Sequence, residues 1–449
     1  MSSTRLPLPL VDSAQPVRVL LSEPMLRYRC NQKGCCCRGW DIPFKLDDFI
    51  RLFEHLPEGE REELGKGLNL IVDEAPPEAR ADMLLRSLKL AGVGEDRHCR
   101  FCESDGGCRV HARHGISALP DICVNFPAQG FRDAESGIVE LYWDPICPEV
   151  VRLFAEQTGP LAVGAVEAAP AGAPAASQRV SRDVSSAPER LEAGTTHLLP
   201  TEMGWHDPGF VQRVANAREP LRARLNGVSL SRAELEHVRR ETLRALGERA
   251  RPTWEQLAAV LHGFRELEPG GALAFAATPP GDLEPFQSYL GGCIGAHGAP
   301  LLFWSLRKME RFVFSIELKP LIAEPRALLA GLDGWGDALD AWYFPREESL
   351  RPIFSRYLQH RFAMLYINQE GELRESADTI ALLFGAALRY AGGVAAALER
   401  PIDDAIAQAG ISAAEYLYRS VQFSSDTLPW FASAEEKPAA SGAAMKGDS

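Results

Sequence analysis

Apolar residues recur along most of the chain at helical spacing. Leu46, Phe49, Ile50, Phe53 and Leu56 fall on one face of a helix. Asp47 or Asp48 suits its first turn, where the backbone dipole favours an acid. A second helix is predicted from Pro76 to about Ala91, with two prolines at its start. Phe126 to Arg132 and Ile138 to Trp143 predict a β-hairpin around Glu135-Ser136-Gly137. Pro148 then opens a helix carrying Val150, Val151, Leu153 and Phe154. Beyond about Asp207 the helical pattern dominates. Ser231-x-x-Glu234, Thr253-x-x-Gln256 and Ser412-x-x-Glu415 read as capping boxes, and further helices are expected near 347–367, 375–399 and 402–409. Residues 1–29 read as an irregular arm that ends in an extended segment, Met25 to Arg29.

These elements predict a mainly α fold with one small hairpin. Residues 159–205 are rich in Ala, Pro and Ser and have no periodic apolar face, so they read as a flexible linker. They divide the chain into a cysteine-bearing domain at 1–158 and a helical domain at 206–432, with a disordered tail at 433–449.

Composition changes little in this picture. The 449 residues are 46% hydrophobic and 24% charged, as in ordinary globular proteins. The net charge of −13 argues against nucleic acid as a partner, which needs a cationic surface. No secretory leader is legible, and no uncharged apolar run of about 18 residues suggests a membrane span. A cytoplasmic location is expected, where thiols stay reduced.

Cysteine placement changes the picture most. Cys30, Cys35, Cys36, Cys37, Cys99, Cys102, Cys108, Cys123 and Cys147 all precede residue 150, and only Cys293 lies elsewhere. Thiols at this density in a reducing compartment point to metal or cluster ligation. Three consecutive cysteines after Gly34 suit the several corners of a multi-iron cluster better than one tetrahedral ion. Cys99-x2-Cys102-x5-Cys108-x2-His111 instead has the spacing of a tetrahedral zinc site. All nine early cysteines are therefore candidate metal ligands. The second loop with His111 suits a separate zinc site if two metals are present. No P-loop occurs, and the glycine-rich segment around Cys293 lacks the setting of a dinucleotide loop.

The motifs, in order, resemble a known family. Tyr28-Arg29-Cys30, Cys35-Cys36-Cys37-Arg38-Gly39-Trp40, Gly107-Cys108-Arg109-Val110-His111, Leu119-Pro120-Asp121-Ile122-Cys123-Val124-Asn125-Phe126-Pro127 and Cys147-Pro148-Glu149 are similar to the flagellin lysine-N-methylases. Their broader relative is the zinc- or iron-chelating cysteine-cluster domain. The likeness covers residues 26–156 and is fainter from Tyr357-Leu358-Gln359-His360-Arg361-Phe362 onward. It implies an iron–sulfur cluster, 4Fe-4S in type, or zinc on the cysteine motif, with the first-loop cysteines, Cys123 and Cys147 as the preferred ligands because the family motif flanks them most closely. It also implies S-adenosylmethionine-dependent methylation of lysine ε-amines on a protein substrate with exposed lysines. The chain departs from the family in its compressed first motif and its long linker.

Methyl transfer requires a neutral amine aligned with the methyl sulfonium. Tyr142, Trp143 and Asp144, beside Cys147, are the candidates for that chemistry. The alternative reading is a non-catalytic protein that chelates zinc or iron for structure, storage or sensing.

Overall fold

The computed structural model describes residues 17–22, 28, 42–44, 46–70, 88–90, 99–103, 107–115, 118–120, 123–124, 126–132, 139–156, 161, 163–168, 223–247, 250–267, 335–368 and 372–421. The described part is mostly helical, with few strands, and so mainly α. Cys30, Cys35, Cys36, Cys37, Cys293, most of the expected 76–91 helix, the linker beyond 168 and the tail lie outside the described residues.

In chain order the elements begin with β1 (Val17–Ser22), β2 (Ile42–Phe44), α1 (Leu46–His55), α2 (Glu58–Gly67), β3 (Leu68–Leu70), β4 (Leu88–Leu90) and α3 (Arg109–His114). They continue with β5 (Ala128–Arg132), β6 (Val139–Trp143), α4 (Pro148–Glu156), β7 (Val163–Ala168), β8 (Arg224–Leu225), β9 (Val228–Ser229), α5 (Arg232–Ala245) and α6 (Thr253–Glu266). A composite segment follows: α7 (Trp335–Ala338), a π turn at Leu339–Tyr343 and a 3-10 turn at Phe344–Arg346. It leads into α8 (Glu347–Asn368), α9 (Leu373–Leu398) and α10 (Asp404–Val421).

The expected hairpin is present, with Ala128 opposite Trp143 and Arg132 opposite Val139. It belongs to a larger sheet of order β5-β6-β1-β7, in which β1 runs parallel to β6 and antiparallel to β7. Two expectations change here. Val17–Ser22, within the supposed arm, is an inner strand. Val163–Ala168, within the span read as linker, is its edge partner. Leu161, in the same span, is buried, and its N–H donates to Gln359 Oε1 at 3.1 Å. These residues are ordered by long-range pairing, which local composition does not encode. Leu88–Leu90, expected at the end of a helix, instead lies between Ile42–Phe44 and Leu68–Leu70 in a second sheet.

The main core is helical. It is centred on α9, which packs along α10, α8, α6 and the composite segment. By length and composition α9 would cross a membrane, but 78% of its most apolar window is buried inside the fold. Leu141, Trp143, Cys147, Val150, Val151, Leu153 and Phe154 join this same core. The end of the supposed cysteine-bearing domain therefore packs inside the helical one. A smaller core holds Leu52, Leu56, Leu64, Cys99, Phe101, Val110, Ala118 and Leu119, and half-buried Val124 packs against both.

Helix starts show which sequence signals act locally. Ser231 caps α5 as expected: its side chain accepts from the Glu234 N–H, and Glu234 answers the Ser231 backbone. Thr253 does not cap α6 but is its first residue. Its N–H and hydroxyl both donate to Glu347 Oε1, at 2.7 and 3.0 Å, so a carboxylate from α8 closes that helix end. Ser412 and Glu415 start nothing. They lie in the middle of α10, where Glu415 accepts from Tyr357 Oη and Arg361, each at 2.6 Å. Between β8 and β9, Asn226 and Gly227 both have positive φ, the two-residue turn an Asn-Gly pair favours. Glu372 accepts both of their N–H groups and ties the turn to the start of α9.

His360 shows how tightly α8 seats on the sheet. It is fully buried between Tyr142 and Phe154, with Nε2 donating to the Trp143 carbonyl at 2.6 Å. Burial pushes its pKa down from 6.5 to about 4, against the pull of that carbonyl. A histidine depressed on folding contributes full stability above its unfolded pKa. That stability is lost as pH falls from 6.5 towards 4, because the unfolded chain takes up the proton first. The expected loss is on the order of 3 kcal/mol. Denaturant titrations of wild type and His360→Gln across that window check this. Glutamine keeps an N–H for the Trp143 carbonyl and should flatten the slope, whereas equal slopes would assign the pH dependence to other groups.

Candidate metal centre

The small core is built around thiols. Cys99 to Cys102 form a tight turn, with the Cys102 N–H donating to the Cys99 carbonyl at 2.9 Å. The chain then doubles back. Glu103 N–H donates to the Gly107 carbonyl and Arg109 N–H to the Phe101 carbonyl, both at 2.8 Å, which sets Cys102 opposite Cys108. Cys108 leads into α3, and its carbonyl accepts from Ala112 at 2.9 Å. Cys123 arrives from a third segment, a turn in which its N–H donates to the Pro120 carbonyl at 2.9 Å.

Ion pairs hold these segments in place. Arg51 on α1 pairs with buried Asp48 and donates to the Leu119 carbonyl at 3.0 Å, anchoring the turn that carries Cys123. Glu60 on α2 accepts from Arg113 at 2.6 Å and lies 3.6 Å from Arg109 Nε, anchoring the helix that starts after Cys108. The Arg109 guanidinium also lies over the Phe101 ring, 5.5 Å from its centroid.

Each thiol feels the others. Cys99 is pushed up to about 12, chiefly by burial with Cys108 and Cys102 adding to it, while the N–H groups of Phe101 and Cys102 pull against them. Burial also raises Cys108, opposed by the N–H groups of His111 and Val110 and by Arg109, and reinforced by Cys102. Cys123 is held well above its ordinary value by burial, then by Cys99, Cys108 and Asp48. All four are reduced. Cys99, Cys108 and Cys123 are therefore protonated at neutral pH, and close enough that charging one disfavours charging the next.

Among the described residues, no three His, Cys, Asp or Glu side chains close on a single point as a bound ion would require. The donor chemistry does fit a thiophilic ion: four reduced sulfurs from three segments, two of them with backbone N–H groups directed at them. The first-loop cysteines lie outside the described residues, and the two thiols grouped with them on sequence, Cys123 and Cys147, lie in different places. Cys123 stands beside Cys99 and Cys108 of the second loop. Cys147 lies in the main core, where its sulfur is 3.4 Å from Tyr28 Oη and its N–H donates to the Asp144 carbonyl at 3.0 Å. His111 is half-buried on α3 and contributes its backbone N–H to Cys108.

The residues considered for methyl transfer are all buried in this arrangement. Tyr142 is fully buried and donates to Glu140 Oε2 at 3.0 Å, and burial holds its pKa well above the ordinary value. Asp144 accepts the Ile146 N–H at 3.1 Å and shapes the turn into α4. Trp143 packs in the main core with Tyr28 against its edge.

Sequence reasoning overlooked Asp48, Arg51, Glu60 and Arg109. Asp48 was legible only as a first-turn acid. Its place beside Cys123 depends on how α1 packs on the 118–124 segment. Comparisons with protein-family models, curated proteins and solved structures give no match for the chain.

Proposed function

We propose that this is a metal-chelating cysteine-cluster protein in which Cys99, Cys102, Cys108 and Cys123 hold a thiophilic metal, as zinc or as iron in an iron–sulfur cluster. The observation that carries the reading is that four reduced thiols from three chain segments line one small core of described residues, with Cys99 and Cys108 beside both Cys102 and Cys123. Left as neutral thiols, they contribute little beyond packing. As ligands they would link the 99–103 turn, the start of α3 and the turn that carries Cys123, and structural zinc adds on the order of 10 kcal/mol in such a role. When bound, the metal supplies that cross-link. The protein supplies the sulfurs, the N–H groups directed at Cys99 and Cys108, and the Arg109 charge.

The resemblance to flagellin lysine-N-methylases extends this to S-adenosylmethionine-dependent methylation of lysines on a protein partner. What supports the extension is the order and neighbours of the cysteine motifs. Binding of S-adenosylmethionine, followed by calorimetry, separates the two readings, since a chelating module gives no binding heat.

Metal and acid-labile sulfide analysis of the full chain, purified without oxygen, tests the chelating role. At least one zinc, or iron with matching sulfide, is expected per chain. Preparations that carry neither metal, and do not take up added zinc, would overturn it.

A further inference from the structure

We propose that Cys102 and Cys108 form a redox pair that closes to an intramolecular disulfide when the chain meets a small disulfide oxidant, and that this disulfide and the metal exclude one another. The second clause rests on the metal-chelating reading above. The first stands on backbone geometry alone.

The two residues are partners in an antiparallel bridge. The hydrogen bonds around it run from Arg109 N to Phe101 O and from Glu103 N to Gly107 O, so the bonded groups flank the pair. That is the non-hydrogen-bonded position of a ladder, where opposite Cα atoms lie about 4.5 Å apart and side chains approach most closely. Disulfides span Cα separations of about 4.4–6.8 Å, so this pair can close without moving the backbone. Cys108 is extended, with φ −96° and ψ 115°. Both residues are half-buried, whereas Cys99 is buried, so an oxidant from solvent reaches the pair more readily than it reaches Cys99.

The step balances with oxidised glutathione as oxidant. One protein thiolate attacks a glutathione sulfur, the glutathione S–S bond breaks, and one glutathione thiolate leaves. The second protein thiolate attacks the protein sulfur of the mixed disulfide and releases the second glutathione. Two protein S–H bonds are exchanged for one S–S bond. Two electrons and two protons end on two molecules of reduced glutathione. A sulfur engaged in the disulfide can no longer act as a thiolate ligand, so oxidation removes two of the four donors at once.

Trypsin gives a direct readout, because Arg100 and Arg109 bracket the pair in one peptide, Phe101 to Arg109. The full metal-free chain is treated with oxidised glutathione, its remaining thiols are alkylated, and it is then digested. The expected product is this single peptide, unalkylated and two hydrogens lighter. Finding both its cysteines alkylated, or finding it cross-linked to the peptides of Cys99 or Cys123, would overturn the pairing. A parallel sample loaded with zinc should form the light peptide roughly tenfold more slowly or less. Equal rates with and without zinc would leave the pair standing and overturn the exclusion, along with the metal assignment. Zinc uptake without any light peptide in the metal-free sample would overturn the pair and leave the metal assignment standing.

Discussion

Replacing Glu140 with alanine is expected to destabilise the protein by about 3 kcal/mol. Glu140 is fully buried on β6, where it accepts from Arg239 at 2.7 Å and from Tyr142 Oη at 3.0 Å, and pairs with Arg232. It is the main bond between the sheet and α5. Burial alone would pull the Arg239 pKa down, and the facing carboxylate more than restores it, so the guanidinium stays charged in the core because of Glu140. Removing one member of a buried pair leaves the other charge uncompensated, at about 3–5 kcal/mol. The lower end applies because Glu236 remains 3.2 Å from Arg239. Glu140→Gln, which keeps an acceptor for Arg239 and Tyr142 but not the charge, should fall between wild type and Glu140→Ala. Denaturant midpoints for the three proteins check the order. A Glu140→Ala variant as stable as wild type would mean that the network contributes nothing net.

Gly410→Ala is expected to cost at least about 3 kcal/mol, although alanine is the better helix former by about 1 kcal/mol. The reason is the closeness of α9 and α10. A Cβ at residue 410 would meet the Ala387 carbonyl oxygen, and would lie 2.8 Å from Ala391 N and 2.9 Å from Ala391 Cβ. Two of these three atoms are backbone, so no rotamer change relieves the contact and the helices must part. Ala386, Ala387, Ala391, Ala395, Ala407, Ala409, Ala413 and Ala414 are all buried nearby in the core, so parting the helices opens gaps along their length. Gly336, where an added Cβ meets nothing within 4 Å, is the control, and alanine there should be tolerated. A thermal or denaturant shift of the same size at both positions would show that the close approach of α9 and α10 is not what sets the cost.

Much of the helical part was legible because its signals are local or periodic. The Ser231 capping box needs only residues within one turn, and it forms. The hairpin from Ala128 to Trp143 follows from two strand-like stretches on either side of the turn signal Glu135-Ser136-Gly137. Thr253 and Ser412 carry similar sequence signals and cap nothing. Glu347 takes over the first, and burial of Glu415 against Tyr357 and Arg361 absorbs the second into a longer helix. The face of α1 was misread for the same kind of reason. Ile50 and Phe53 fit the apolar stripe but are 45% and 39% exposed, while Asp48 is buried and Arg61 covers the Phe53 ring. The strands Val17–Ser22 and Val163–Ala168 pair across about 140 residues of chain, a contact that no window of sequence contains.

The candidate site divides in the same way. Thiol density and the Cys99-x2-Cys102-x5-Cys108 spacing can be read directly, and they place two turns that face each other. Which further thiol joins them cannot. Cys123 and Cys147 look alike in sequence, each beside a proline-containing turn. The first stands with Cys99 and Cys108 because Arg51 pins the 118–120 turn to α1. The second is drawn into the main core by α4 and Tyr28.

The metal content of wild type and of Cys123→Ser, both purified without oxygen, decides whether the four sulfurs share a metal. Cys123 is the thiol whose membership of the cluster depends on tertiary structure alone. If the four sulfurs share a metal, the variant should lose at least one equivalent of the zinc or iron that wild type retains. Wild type and variant with the same metal content would contradict the account.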